Sequence, residues 1–236
     1  MAAMRTKSLL FFMMLACAAA CSPEQAPPAA PQTTATTATT ATATAAPPCA
    51  TSEQTLCPVD EGAADPTFAK YREALRAAIA SRNEKELLAL ADPKIRTSFG
   101  GDQGLKLSDS KIWDELARAI ALGGAFRGEG ADRMFWAPYV YSSWPESIDA
   151  FTHVAAVRDD VPLREQPAAD AAVVDTLRWT IVELIPSDSA SWRHVRTPGG
   201  KTGWVEAAGV RSPIGYRAGF RQVDGQWKMN AFVAGD

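Results

Sequence analysis

The sequence predicts an α+β unit followed by a small β-barrel, with a C-terminal β-hairpin that packs back on the α+β unit. Three observations predict it. Apolar residues recur at helical spacing between Asp65 and Gly124. From Phe151 onward, short β-prone runs alternate with turns, and no helical period is visible. The last stretch, "GYRAGFRQVDGQWKMNAFVAGD", reads as two strands around Asp224-Gly225, a strong hairpin signal.

The chain begins with an address. Arg5 and Lys7 precede a short apolar run from Leu9 to Leu15, then small residues and cysteines. Such a run is an export signal, too short to span a bilayer. Cysteine after small residues, in "MLAC" and "AAAC", resembles the lipobox of bacterial lipoproteins. The resemblance implies a lipoprotein signal peptide over residues 1–20 and lipidation of Cys21, with Cys17 as the alternative. Both boxes depart from the family pattern, which has leucine three residues before the cysteine. The residue after either cysteine is not aspartate, which by the same resemblance implies the periplasmic face of the outer membrane in a Gram-negative bacterium. Removing residues 1–20 removes Arg5 and Lys7 and no acid, so the mature chain is more acidic than the -3 of the full sequence. An acidic domain suits attachment through the N-terminal lipid only, held off an anionic surface.

Residues 21–64 read as a low-complexity Thr/Ala/Pro tether. "TTATTATTATATAAPP" has almost no large apolar side chain, so it cannot bury enough surface to offset its ordering entropy. Cys49 and Cys57 bracket "CATSEQTLC" at its end. In an oxidising periplasm this predicts a disulfide, with two free thiols as the alternative. A metal would need more ligands than this loop carries.

Residues 65–150 form the predicted α+β unit. Asp65-Pro66 is an N-cap followed by proline at the first helical position, and Phe68, Tyr71, Leu75, Ala78 and Ile79 mark one helical face. Asn83 caps a second short helix that ends at Asp92-Pro93. Residues 95–99 read as a strand, and Gly100-Gly101-Asp102-Gln103-Gly104 as a turn. A third helix starts at Ser108 or Asp109, carries Ile112, Trp113, Leu116 and Ile120, and stops at Gly123-Gly124. Met134-Phe135-Trp136 and Tyr139-Val140-Tyr141 are β-prone, separated by Pro138.

Residues 151–212 carry six β-prone runs, at 152–157, 161–164, 173–177, 180–185, 192–195 and 202–205. Gly200-Lys201-Thr202 invites comparison with a phosphate-binding loop. That motif needs a glycine at position 195, which is Val195, and a helix after the threonine, where Gly203-Trp204-Val205 reads as extended chain. Pro198-Gly199-Gly200 is instead the turn between two strands.

The order of these residues resembles the bacterial SH3 domain. Val161, Leu163 and Arg164 stand for its first strand, and Pro167 for the turn after it. Val173, Val174 and Leu177 follow, then Ile181 to Leu184, Trp192 and Val195, Gly200-Lys201, and Gly203-Trp204-Val205. Glu165-Gln166 replace the usual Ser-Gly of the first loop, and Pro162 lies beside the first valine. The resemblance implies an SH3-like barrel within a lipoprotein of uncharacterised function, often with a cell-wall peptide as ligand. Aromatic-lined grooves of such barrels bind extended peptides, which makes Trp179, Trp192, Arg164 and Glu165 the candidate contacts. Trp204, Trp227 and Trp113 are assigned to core positions. The helical half closed by residues 213–236 further resembles the cone-like α+β folds of the nuclear-transport-factor type, with the barrel inserted.

Little else points to chemistry. His153 and His194 are the only histidines, no Gly-x-Ser-x-Gly is present, and no metal ligand set or cofactor motif emerges. Asp159-Asp160 and Asp188 read as turn residues. The 24 basic and 27 acidic residues leave no basic excess for nucleic acid. The expectation is a non-enzymatic, lipid-anchored envelope protein binding peptidoglycan or a periplasmic protein. The alternative is an enzyme or small-ligand binder with a pocket near Gly100-Gly101-Asp102.

Overall fold

The computed structural model describes residues 49–100 and 104–235. The export signal with Cys17 and Cys21, and most of the tether, lie outside the described residues. So do Gly101, Asp102 and Gln103.

Helix α1 (Pro66–Ala80) starts where the sequence places it. The Asp65 carboxylate accepts from the Thr67 and Phe68 amides and from the Thr67 hydroxyl, satisfying amides that the helix cannot. All five apolar residues of its predicted face are buried. Helix α2 (Glu84–Leu90) is capped by Asn83, and α3 (Ser110–Ala121) by Asp109. Gly123 ends α3 with a positive φ of 66°, a conformation that costs glycine nothing.

Five strands form the sheet of this unit: β1 (Ala91–Arg96), β2 (Ala125–Arg127), β3 (Met134–Ala137), β11 (Arg217–Val223) and β12 (Gln226–Val233). Their order is β1-β12-β11-β3-β2, so the C-terminal hairpin occupies the centre. Asp224 and Gly225 both take positive φ, at 50° and 74°, as the tight hairpin turn requires. Helix-facing side chains meet in one aromatic cluster. Phe68 lies within 6.4 Å, centroid to centroid, of Tyr71, Phe126, Phe135, Phe220 and Trp227. The Trp227 indole donates to the Thr67 hydroxyl, tying the hairpin to the first turn of α1.

A seven-stranded sheet follows: β4 (His153–Ala156), β5 (Val161–Arg164), β6 (Val173–Leu177), β7 (Ile181–Ile185), β8 (Trp192–Arg196), β9 (Thr202–Glu206) and β10 (Val210–Arg211). Its order is β10-β4-β7-β8-β9-β5-β6, and its inner face encloses Val154, Val161, Leu163, Leu177, Val182, Val195, Val205 and Val210. The chain thus leaves the α+β unit after β3, builds this barrel, and returns to complete the first sheet.

Three segments depart from the sequence reading. Residues 49–64, assigned to the tether, are folded. Cys49 and Cys57 are disulfide-bonded, Leu56 is fully buried, and its amide donates to the Trp179 carbonyl. The Gln54 carbonyl accepts from Ile181, and Asp60 pairs with the buried Arg72 of α1. One apolar side chain with cross-chain backbone bonds anchors a stretch whose composition alone looks unstructured. Second, β1 covers Ala91–Arg96 rather than residues 95–99, and Phe99 is exposed. Pro93 is tolerated because β1 is an edge strand that meets β12 in register only at Ala91 and Arg96. Third, Tyr139–Ser142 is a helical turn, α4, not a strand. The Pro138 carbonyl accepts from Tyr141 and Ser142, which closes the turn.

Two outcomes follow from this architecture. The hydrogen bonds of the Asp65 cap, chiefly from the Thr67 hydroxyl, hold its carboxyl below the ordinary aspartate range. Asp65→Ala is expected to cost about 1 kcal/mol in thermal denaturation. Asp65→Asn should retain most of the cap at neutral pH. The aspartate's charge-dependent share is full above its unfolded pKa and is lost as pH falls through its lower folded value, a loss the Asn variant should not show. Truncation after residue 212 removes both central strands of the first sheet. The shortened chain should lose protease resistance over residues 65–150 while a fragment spanning residues 152–212 persists; full protection of residues 65–150 would contradict this coupling.

Candidate functional site

The barrel's alternation decides which side chains reach solvent. On β9, Gly203 and Val205 point inward, and Thr202, Trp204 and Glu206 outward. Gly203 has no room for a side chain, since a Cβ there would lie 2.7 Å from the Arg164 carbonyl and 2.8 Å from Leu163 Cγ. The tryptophan therefore falls on the outer face and is half-buried, which corrects its assignment to the core.

Cross-strand register then builds a row. Val173 of β6 pairs with Arg164 of β5, Arg164 with Trp204 of β9, Trp204 with His194 of β8, and His194 with Ile185 of β7. Five strands spaced by about 4.8 Å make this row about 20 Å long. The His194 and Trp204 rings stack at 4.6 Å with planes 10° apart. Trp192 lies two residues from His194 on the same face of β8, opposite Glu206. Val173 is 53% exposed and Val174 40%, leaving apolar surface at one end of the row. Arg164 donates through Nη1 to the Ala171 carbonyl at 2.7 Å, and its buried Nε has no partner among the described residues. The arginine both closes the loop after β5 and retains unused donor capacity.

Of the four sequence-predicted contacts, the structure brings Trp192 and Arg164 to this face. Glu165 is exposed in the loop beyond Arg164, its amide donating to the Ala172 carbonyl. Trp179 does not join them. It sits in the turn before β7, at the opposite end of the β7–β8 ladder from Trp192, on the order of 20 Å away along the strands. A positive φ of 46° and backbone bonds to Arg158 and Leu56 hold it there. Trp204 and His194 are the members that sequence reasoning missed. Alternation with Gly203 and Val205, both needed inside, is the signal that exposes them.

A second row lies beside the first. His153, Glu183 and Arg196 are cross-strand neighbours, with Arg196 2.6 Å from Glu183. They line a cleft of about 320 Å³ under the disulfide loop, near Glu53 and Gln54. The His153 ring lies 2.9 Å from the Thr152 hydroxyl and 3.1 Å from the Asp149 carbonyl, partners that fix it structurally. Among the described residues no cluster of three or more potential metal ligands is found. In the α+β unit, a cleft of about 210 Å³ beside Gly104 is lined mainly by Thr97, Leu105, Ile112, Tyr216 and Phe232, with Lys106 its one charged group among the described residues. The interior of that unit is filled by the Phe68 cluster.

Residues 157–211 match the family model described as bacterial SH3 domain. No curated protein and no solved structure matches the chain. The match begins just after β4 and ends with β10, so it contains the whole row from Val173 to Ile185. The segment from residue 157 to residue 211 is a bacterial SH3 domain, inserted in an α+β chain.

Proposed function

We propose that this chain is an exported, lipid-anchored, non-enzymatic envelope protein whose SH3 domain binds peptidoglycan stem peptide on the outer face of β5, β9 and β8. The observation that carries the reading is the solvent-facing row of Arg164, Trp204 and His194 within the SH3 segment, flanked by Trp192. A stacked aromatic pair offers a flat apolar platform, and the guanidinium beside it offers donors to peptide carboxylates. This combination suits an extended, carboxylate-bearing peptide. Lipid attachment at Cys21, or Cys17, places the domain at the periplasmic face of the outer membrane, with residues up to 48 as the tether. No cofactor enters this reading. A periplasmic protein is the other partner that such a face would accept. A small-molecule site in the α+β unit has weaker support, because the cleft beside Gly104 gathers no acid or histidine among its described residues.

Sedimentation with purified sacculi tests the reading. The wild-type chain should be retained, and Trp204→Ala and Arg164→Gln should each reduce retention about tenfold, corresponding to about 1.4 kcal/mol. Trp179→Ala, away from the row, should bind as wild type. No retention of a folded wild-type chain would shift the assignment to a protein partner. Labelling with a fatty-acid analogue in a Gram-negative host should mark the wild-type chain and not Cys21→Ser; label lost only in Cys17→Ser would move the anchor to the alternative cysteine.

A further inference from the structure

A separate feature lies where the barrel meets the α+β unit. A cleft of about 410 Å³ opens between α3, the start of β8 and the linker from β10 to β11. Its charged lining is Lys111, Glu115 and Arg118 from α3, Arg193 from β8, and Arg211 from β10. Positions 111, 115 and 118 share one helical face, because they are spaced by four and three residues. The apolar residues Trp113, Leu116 and Ile120 occupy another face, buried in the core. Arg193 alternates with Trp192 and His194, so it leaves the side of β8 opposite the peptide row.

Charge in this cleft is unbalanced. Among the described residues, four cations surround one carboxylate. Glu115 is shared, 3.4 Å from Arg118 and 3.3 Å from Arg211. The Arg211 side chain is only 6% exposed. It donates through Nη2 to the Tyr216 carbonyl at 2.6 Å, while its buried Nε has no partner among the described residues. Among the described residues, Arg193 uses Nη1 alone, on the carbonyls of Ser189, Ala190 and Trp192, at 3.0 to 3.2 Å. Lys111 is exposed and forms no ion pair among the described residues. Burying a guanidinium without full pairing is costly. Burial accordingly pushes Arg211 below its ordinary pKa, Arg118 adds to that shift, and Glu115 only opposes it. An entering anion would supply the missing acceptors and counter-charge, and guanidinium forks match the planar edge of a carboxylate or phosphate.

We propose that this junction cleft binds a multiply charged anion of the carboxylate or phosphate class, held by Arg211, Arg193, Lys111 and Arg118. Because the cations come from α3 on one side and from β8 and β10 on the other, the bound anion would tie the SH3 domain to the α+β unit. The site is independent of the peptide row, which lies on the other face of β8.

Calorimetric titration of the whole chain with tripolyphosphate and with citrate, at ionic strength fixed with sodium chloride, tests the proposal. Saturable binding with one site is expected, together with a rise in melting temperature that chloride alone does not give. Tighter binding of tripolyphosphate identifies a phosphate ligand, and tighter binding of citrate a carboxylate ligand. The double variant Lys111→Gln, Arg118→Gln, both at exposed positions, should weaken binding at least tenfold. Glu115→Gln should strengthen it several-fold by removing the competing carboxylate, and Lys85→Gln, remote from the cleft, should change nothing. Absence of saturable binding of both probes to the wild-type chain, or undiminished binding by the folded double variant, would overturn the proposal.

Discussion

The hairpin of β11 and β12 stands between β1 on one side and β3 on the other, so both edges of the first sheet are attached through the last residues of the chain. Its inward side chains, Phe220, Trp227, Met229 and Phe232, close the core that α1 begins with Phe68. Each fully buried aromatic ring removes enough apolar surface from water to contribute about 2 kcal/mol. None of that gain is available until a segment some eighty residues downstream of β3 has returned. The SH3 domain is consequently held at both ends by one cooperative unit.

The strap formed by residues 49–64 adds a further constraint. Leu56 packs with Tyr139, Val140, Ala155 and Ile181, a small core between α4 and the outer side of β4 and β7. The burial of Tyr139 in this small core pushes its phenol up to about 12, so the hydroxyl stays neutral. The strap thereby divides the outer surface of the barrel. Where it lies, Ile181 is covered; beyond it, Ile185, His194 and Trp204 remain accessible to solvent. Exposure of the row formed by Arg164, Trp204 and His194 is thus set by where the strap stops as well as by strand alternation.

The two faces of β8 serve different electrostatic environments. Trp192 and His194 join a largely apolar and aromatic surface with Arg164 at its edge, whereas Arg193 turns toward the cationic junction. Adjacent residues of a strand can take part in unrelated recognition because successive side chains leave opposite faces of the sheet.

What the sequence determined by itself is local. Asp65-Pro66 and Asn83 are read as helix caps, and Ser108 or Asp109 as the start of a third helix, because a cap is a contact between residues two or three positions apart. Asp224-Gly225 announces a hairpin because only certain residues tolerate its backbone angles. The strand order of the SH3 segment is legible because its turns and alternating valines follow one another along the chain. The tertiary structure decided everything that depends on register or on distant partners. Arg164, Trp204 and His194 are neighbours only because three strands pair with a particular offset, and an offset of one residue would reverse their faces. Trp179 and Trp192 look equivalent in the sequence, yet antiparallel pairing of β7 and β8 puts them at opposite ends of the ladder. Residues 49–64 have the composition of a tether and are folded by contacts more than a hundred residues away, through Trp179 and Ile181. The cations of the junction cleft come from positions 111 to 211, and no spacing rule links them. Proximity there follows from docking two units, which a linear pattern does not encode.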